Sequence, residues 1–183
     1  MVAFVGDSYT GASPGFVSIA AATLGWDARN FGRGGTSFGR GVSGPMSKIA
    51  CGLDYCQSYA EMVAEVAKVR PDIVVVSGGA NQVSDPSSSV AADIASFYVL
   101  LRHSLPSARI IGTSPLWNDK APPDNLRAMQ ASVKAAVEAV GGEYVDLGEP
   151  LRDRPDLVGP DGVHPNLAGH EAIAAAFASA IRR

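Results

Sequence analysis

The sequence has few residues of the kinds that bind metal ions or nucleic acid. Its 183 residues include two cysteines and three histidines, whereas a structural zinc site normally takes four Cys or His ligands. The formal net charge is −3, and charged residues make up 18% of the chain. Nucleic-acid binding usually requires a basic surface. These shortages argue against a metal site and against a nucleic-acid partner.

Long apolar runs are also absent. A membrane-spanning helix needs about 20 consecutive apolar residues, and the longest apolar runs here are far shorter. The first residues, Met1–Val5, lack the basic start and the long apolar stretch of a signal peptide and are more typical of a strand. The hydrophobic fraction of 46% is nevertheless sufficient for a core. We therefore expect residues 1–183 to form one folded domain without a membrane span.

The two cysteines, Cys51 and Cys56, lie close together in a loop-like stretch. They form either a local disulfide or a pair of free, partly buried thiols. A disulfide would favour an exported protein, because such bonds persist in oxidising compartments.

Short β-rich runs alternate with longer segments of helical periodicity. The β-rich runs are Val2–Val5, Asp27–Phe31, Asp72–Ser77, Arg109–Thr113 and Glu143–Leu147. The third run contains four consecutive apolar β-branched residues, as expected for a central parallel strand that is buried on both faces. Apolar residues at helical spacing separate the later runs and predict three helices over 59–69, 90–101 and 126–140. A last helix follows Pro165, which is a favourable residue for a first helical turn.

This alternation predicts a doubly wound parallel sheet with helices on both faces. In such sheets, ligands bind beyond the carboxyl ends of the strands. Four polar segments occupy that position: Gly6-Asp7-Ser8, Asn30–Gly35, Gly78–Asn81 and, beyond the fifth strand, Asp161–His164. We expect them to lie along one edge of the sheet.

The residue types in these segments are those that acyl transfer needs. Ser8 supplies a hydroxyl nucleophile, His164 a base that takes its proton, and Asp161 a carboxylate that orients the imidazole. The amide N–H groups of Ser8 and Gly35 and the side-chain amide of Asn81 are candidate donors to an oxyanion. The less specific interpretations are a helix N-cap for Ser8 and a turn residue for Asn81.

In this order, the four segments resemble the four sequence blocks of the SGNH (GDSL-like) hydrolase superfamily, and together they span nearly the whole chain. The resemblance implies a flavodoxin-like three-layer α/β/α sandwich with a central parallel sheet of about five strands. It also implies a Ser-His-Asp mechanism with no metal or cofactor, and an oxyanion hole formed by Ser8, Gly35 and Asn81. One departure is Gln82, where many members of the superfamily carry Asp.

Two other motif matches are rejected. The segment Gly11–Gly15 has the letters of the G-x-S-x-G nucleophile elbow, but Pro14 follows its serine and has no N–H to offer an oxyanion. The segment Gly39–Gly44 matches a dinucleotide-binding fingerprint. It does not directly follow a strand, and Pro45 stands where helix packing should begin.

Substrate specificity is expected to depend on two loops, Thr36–Gln57 and Ser114–Asn125. Their large aromatic residues are Phe38, Tyr55 and Trp117. These side chains either line a substrate pocket or pack the loops onto the core.

The predicted function is a serine esterase that forms an acyl-enzyme at Ser8. The expected substrate is a small-molecule or carbohydrate ester with a short acyl group on a polar alcohol, such as an O-acetylated sugar. The alternatives are an SGNH-type O-acyltransferase domain and a lipase-like or thioesterase-like enzyme that prefers longer acyl groups. A catalytically silent carbohydrate-binding module would have lost Ser8, His164 or Asn81, and none of them is lost.

Overall fold

The computed structural model describes residues 1–182, in which seven strands occur. They are β1 (Val2–Gly6), β2 (Ala28–Asn30), β3 (Val42–Ser43), β4 (Tyr55–Cys56), β5 (Ile73–Ser77), β6 (Arg109–Thr113) and β7 (Glu143–Val145). Five of them form a central sheet in the order β2-β1-β5-β6-β7, and every neighbouring pair in that sheet is parallel. This arrangement confirms the predicted parallel sheet of about five strands.

Seven α-helices accompany the strands. They are α1 (Ser8–Gly11), α2 (Phe16–Leu24), α3 (Pro45–Cys51), α4 (Tyr59–Lys68), α5 (Ser87–Ser104), α6 (Asp124–Ala139) and α7 (Leu167–Ile181). The three helices predicted from apolar spacing correspond to α4, α5 and α6, and the spaced apolar residues that lie within these helices are buried. None of the helices within residues 1–182 is both long and apolar enough to span a bilayer.

Each face of the sheet has its own apolar cluster, because successive side chains of a strand point to opposite faces. On one face, Ala3 and Val5 of β1 pack with residues of α4, α5 and α6. On the other face, Val2 and Phe4 pack with residues of α2 and α7. The sheet is therefore enclosed between two helical layers. With β1 at a crossover point, the order is that of a flavodoxin-like α/β/α sandwich, which confirms the predicted fold class.

The five predicted strands are all present, and the largest differences are at the two edges of the sheet. The run Asp27–Phe31 is reduced to the three residues of β2, and Glu143–Leu147 to the three residues of β7. An edge strand pairs on one side only, so fewer of its residues form the ladder.

The segment Thr36–Gln57 was expected to be a loop, and this expectation is wrong in part. It contains a two-stranded antiparallel ribbon of β3 and β4 with the helix α3 between them. A disulfide between Cys51 and Cys56 joins the end of α3 to β4. The disulfide interpretation of the two cysteines is thus confirmed.

Candidate active site

Ser8 lies in a tight turn at the carboxyl end of β1, which we call the nucleophile turn (residues 6–11). Ser8 is the first residue of α1, and the Asp7 side chain caps this helix by accepting a hydrogen bond from the Tyr9 N–H. The turn packs closely on the neighbouring strand, because a Cβ at Gly6 would lie 2.0 Å from the Ser77 carbonyl oxygen. Only glycine allows this approach, so the first residue of the Gly-Asp-Ser segment fixes where the hydroxyl stands.

Asp7 is buried below the nucleophile and belongs to a polar network. Its carboxylate accepts a hydrogen bond from the Gly79 N–H at 3.1 Å, and the Tyr59 hydroxyl oxygen accepts from the same N–H, also at 3.1 Å. Burial raises the pKa of Asp7 to about 6, although the N–H groups of Tyr9 and Gly79 and the Tyr59 hydroxyl stabilise the charged form. The network joins the nucleophile turn to the turn that carries Asn81.

His164 lies on a second segment, which we call the imidazole loop (residues 159–165). The loop is closed at its base by a hydrogen bond from the Gly159 N–H to the His164 carbonyl. Asp161 accepts hydrogen bonds from the backbone N–H groups of Val163 and His164, both at 3.0 Å. The pairing with the His164 ring, together with these two N–H groups, holds the pKa of Asp161 well below its usual range. The carboxylate therefore stays ionised at neutral pH.

The structure brings Ser8, His164 and Asp161 into one line. The Ser8 Oγ lies 3.0 Å from Nε2 of His164, and Nδ1 of His164 lies 2.6 Å from Oδ2 of Asp161. Both distances are within hydrogen-bonding range. The imidazole ring thus stands between a hydroxyl and an ionised carboxylate, which is the arrangement that activates a serine.

All three residues that supply the candidate oxyanion donors line the same cleft as His164. Gly35 has φ +74°, which favours glycine, and no atom of residues 1–182 accepts a hydrogen bond from the backbone N–H of Gly35 or of Ser8. The Asn81 amide donates one hydrogen bond to the Thr36 carbonyl at 3.0 Å. Because an amide carries two N–H bonds, this contact fixes the side chain and leaves one donor for a ligand.

Tyr9 links the nucleophile turn to the imidazole loop, and sequence reasoning did not single it out. Its hydroxyl donates a hydrogen bond to the Val163 carbonyl, and its ring lies 6.0 Å from the His164 ring between centroids. Partial burial and nearby carboxylates raise its pKa well above the ordinary value, so the hydroxyl remains a donor. No sequence signal predicts this contact, because the acceptor is a backbone carbonyl 154 residues away.

A cleft of about 400 Å³ opens above Ser8. Of the three aromatic residues proposed for substrate binding, one lines this cleft and two do not. Trp117 lines the cleft. Phe38 does not, because it is buried in the core against Tyr59 and Phe97. Tyr55 does not line it either, since its hydroxyl hydrogen-bonds Glu61 on α4. Packing is thus the correct interpretation for Phe38, and Tyr55 belongs to the ribbon of β3 and β4.

Several cleft residues were missed by the sequence analysis. Met46 and Ile49 project from α3 with large exposed fractions, and Leu116 and Val163 complete the apolar part of the wall. The spacing of three between Met46 and Ile49 was the available signal, since it places both side chains on one face of a helix. Gly44 and Gly52 flank this helix and favoured a loop prediction instead.

Two further residues have structural roles. Gln82, the departure from the superfamily pattern, is buried away from the cleft and hydrogen-bonds Asp93 at 2.9 Å. His170 is buried in α7, where its ring accepts a hydrogen bond from the Phe16 N–H. Among residues 1–182, no group of three or more His, Cys, Asp or Glu side chains is arranged to hold a metal ion.

Comparison with known proteins gives results consistent with this geometry. The chain is 30% identical to the GDSL lipase Rv0518 of Mycobacterium tuberculosis, over 94% of this chain and 78% of that protein. The structure resembles the M. smegmatis aryl esterase, with a TM-score of 0.72 and 13% identity over 99% of this chain and 97% of that chain. It also resembles an active-site mutant of a family two carbohydrate esterase from Clostridium thermocellum, with a TM-score of 0.71 and 18% identity. That match covers 99% of this chain and 62% of the other.

The two structural likenesses concern the fold. The sequence match is more specific, because residues 4–172 fit the profile of the GDSL-like lipase/acylhydrolase family. The chain therefore belongs to the GDSL-like lipase/acylhydrolase family and is a carboxylic ester hydrolase.

Proposed function

We propose that this chain is a serine esterase that hydrolyses its substrate through an acyl-enzyme at Ser8. The observation that carries the proposal is the continuous line from the Ser8 hydroxyl through the His164 ring to the Asp161 carboxylate, with contacts of 3.0 Å and 2.6 Å. Ser8 and the Asp161–His164 pair, 156 residues apart from Ser8 to His164, meet at the edge of the sheet where ligands of this fold class bind. A structural role for Ser8 as a helix cap would not require an imidazole.

In the first step, the Ser8 Oγ attacks the ester carbonyl carbon, and its proton passes to Nε2 of His164. The new C–O bond turns the carbonyl oxygen into an oxyanion. This oxyanion accepts hydrogen bonds from the backbone N–H groups of Ser8 and Gly35 and from the free N–H of Asn81, and these bonds stabilise its charge. One such donor is typically worth about 10²–10³ in rate.

The intermediate then collapses, and the bond to the alcohol oxygen breaks. His164, now carrying the proton from Ser8, gives it to the departing oxygen, so a neutral alcohol leaves. Water next gives a proton to His164 and attacks the acyl carbon. Collapse of this second intermediate releases the carboxylic acid and returns the proton to the Ser8 oxygen. Asp161 stays ionised throughout and stabilises the imidazolium.

The proposed substrate has a short acyl group on a polar alcohol, of which an O-acetylated sugar is an example. Support comes from the size of the cleft, because both sides of the ester share about 400 Å³. Met46 and Ile49 supply an apolar wall that is short and open to solvent. Two solved proteins with this fold are described as an aryl esterase and a carbohydrate esterase, so both kinds of alcohol belong in the test.

Acyl preference is measured with p-nitrophenyl esters of increasing chain length. We expect kcat/KM to be highest for acetate or butyrate and to decline for longer chains. A buried CH₂ contributes about 0.8 kcal/mol only when it is enclosed, and the open wall encloses few of them. A continued rise through octanoate would overturn the short-acyl proposal and favour the lipase-like or thioesterase-like alternative.

The nucleophile is tested by labelling with a fluorophosphonate probe, followed by peptide mapping. We expect a single adduct on Ser8 in the wild-type protein and none in Ser8→Ala. The matched control is Ser13→Ala, because Ser13 is an exposed serine of the rejected elbow motif five residues away. Labelling at Ser13, or labelling that persists in Ser8→Ala, contradicts the assignment.

A further inference from the structure

The two sides of the catalytic cleft differ in chemistry. One side, which we call the glycine bank, consists of Gly34, Gly35, Met46, Ile49 and Ala50. Its members are neighbours, because a Cβ at Gly34 would lie 2.0 Å from the Ala50 carbonyl oxygen. This bank is apolar apart from its backbone amides.

The opposite side, which we call the imidazole bank, consists of Trp117, Asn118, Val163 and His164. The Asn118 side chain donates a hydrogen bond to the Gly162 carbonyl at 3.2 Å, so the loop after β6 is fixed to the imidazole loop. Ser8 borders both banks, because its Oγ lies 3.0 Å from Nε2 of His164 and it lines a neighbouring pocket together with Gly34 and Ala50.

The proposed mechanism assigns one bank to each part of the ester. His164 must protonate the departing alcohol oxygen, so this oxygen has to come within hydrogen-bonding distance of Nε2. The alcohol therefore leaves along the imidazole bank. The acyl group extends from the same carbon in the other direction, toward the glycine bank, where the side chains of Met46 and Ile49 are apolar.

The imidazole bank continues into a side pocket of about 140 Å³. Trp117 and Asn118 line both the cleft and this side pocket. A water molecule has a share of about 30 Å³ in the liquid, so the pocket has room for one small ring and not for a long chain. Ten residues line it: Pro115, Trp117, Asn118, Lys120, Pro122, Leu126, Arg127, Gln130, Gly148 and Glu149.

The polar groups of the side pocket include both donors and acceptors. Lys120 and Arg127 can only donate hydrogen bonds, Glu149 can only accept them, and the Gln130 amide does both. The ion pairs that these residues make are long, at 4.0 Å from Arg127 to Asp124 and 3.8 Å from Glu149 to Arg152. No carboxylate of residues 1–182 pairs with Lys120.

This lining selects among alcohols. The proline, leucine and tryptophan side chains of the pocket offer apolar contact to C–H groups of a ligand. The donors and acceptors of the pocket can bond to its polar groups. A simple alkyl alcohol would leave the polar groups without partners, which is unfavourable when water is displaced. A sugar ring has both an apolar C–H face and hydroxyls that donate and accept.

We propose that the side pocket is the alcohol subsite and that it binds a sugar ring whose ester lies at Ser8; this inference rests on the proposed function. Trp117 contacts the ring at the boundary between cleft and pocket. The hydroxyls of the ring form hydrogen bonds with the side chains of Lys120, Arg127, Gln130 and Glu149.

The test compares two esters with the same acyl group and different alcohols: methyl 6-O-acetylglucoside and p-nitrophenyl acetate. The quantity measured is the ratio of kcat/KM for the sugar ester to kcat/KM for the aryl ester. In the double variant R127A/Q130A, this ratio is expected to fall about tenfold, because two hydrogen bonds of ordinary strength are lost. The matched control is Lys134→Ala, another exposed cation on the same helix α6 but outside the pocket, which should leave the ratio unchanged.

An unchanged ratio in the double variant, whether both activities fall equally or neither falls, overturns the subsite. A wild-type protein that hydrolyses p-nitrophenyl acetate but not the sugar ester also overturns the subsite while the proposed function stands. A protein that hydrolyses neither ester contradicts the proposed function itself.

A variant of the glycine bank tests the assignment of the acyl group to that side of the cleft. Ile49 is 78% exposed, so Ile49→Ala should fold normally. It should lower the ratio of kcat/KM for p-nitrophenyl butyrate to kcat/KM for p-nitrophenyl acetate, and it should leave the ratio of sugar to aryl acetate unchanged. A change in the second ratio of the size expected for R127A/Q130A would contradict the division of the cleft into two banks.

Discussion

The nucleophile turn and the imidazole loop position their side chains in opposite ways. Ser8 is positioned by its neighbour Asp7, which is buried and accepts a hydrogen bond from the Gly79 N–H of a distant turn. His164 is held from within its own loop, by an Asp161 that is open to solvent and bonds to backbone N–H groups two and three residues later. The pKa of Asp7 is raised by burial, and that of Asp161 is lowered by hydrogen bonds.

Two aspartates that stand next to catalytic candidates thus have different roles. The carboxylate paired with the proposed base, His164, is exposed, and local hydrogen bonds from its own loop hold it in place. We therefore expect substitutions in the imidazole loop to affect catalysis. Substitutions at the buried Asp7 should affect stability as well.

The largest effect is expected when either reacting residue is removed. Ser8→Ala and His164→Ala should each lower kcat on p-nitrophenyl acetate by about 10⁴-fold or more, and the double variant should be no worse than either single one, because the groups act as a unit. Thermal unfolding should be nearly unchanged in all three, since neither side chain is part of the core. Additive losses would show that the two regions contribute independently and would contradict the acyl-enzyme mechanism.

Asp161→Asn should be the next most damaging change, with a loss in kcat of about 10³–10⁴-fold and little change in KM. The amide cannot stabilise the imidazolium and favours the wrong ring tautomer. Steady-state kinetics on the same ester measure the effect. A loss below tenfold would indicate that the loop backbone alone orients the His164 ring.

Asp7 should influence the pH dependence of stability. Its folded pKa of about 6 lies above the ordinary value of 3.8. The stability contributed by its protonated form is therefore complete below pH 3.8 and is lost as the pH rises through 6. The free energy of unfolding of Asp7→Asn, relative to wild type, should rise by up to about 3 kcal/mol between pH 4 and pH 7.

Urea unfolding at the two pH values measures this change, and any hydrogen bond lost to the amide adds an offset that does not vary with pH. Asp161→Asn is the control, because a lowered pKa confines its pH-dependent contribution to pH values below 3.8, so its difference from wild type should be nearly the same at pH 4 and pH 7. A difference between Asp7→Asn and wild type that is the same at both pH values would refute the burial effect at Asp7.

The smallest effect is expected at the contact between the two regions. Tyr9→Phe removes the hydroxyl that donates to the Val163 carbonyl and keeps the ring beside His164. One neutral hydrogen bond is worth about 0.5–1.5 kcal/mol, so kcat should fall about two- to tenfold with KM nearly constant. A rise in KM with kcat unchanged would show that Tyr9 contacts substrate and does not position the imidazole loop.

The parts of this site that sequence could predict are those with local signatures. The Gly-Asp-Ser turn and the Asp161–His164 pair each follow a strand of a parallel sheet, and this position alone predicts that they meet. The contact of Tyr9 with a distant carbonyl has no such signature. Phe38 gave no signal either, because no strand or helix periodicity marks which face of a loop residue is buried. The short helix α3, flanked by glycines, was mistaken for a loop, and with it the apolar side of the cleft was missed.

The separation of the reacting residues along the chain has a consequence for folding. Ser8 and His164 are 156 residues apart, so their contact closes almost the largest loop that this chain can form, and its entropic cost is offset only when the packed sheet and helix α7 already hold the ends together. A chain that has folded its first strands but has not yet docked α7 has a nucleophile without a base. Ester hydrolysis in a refolding mixture should therefore report the docking of the segment that carries His164, and a fluorogenic ester would follow that event without any added label.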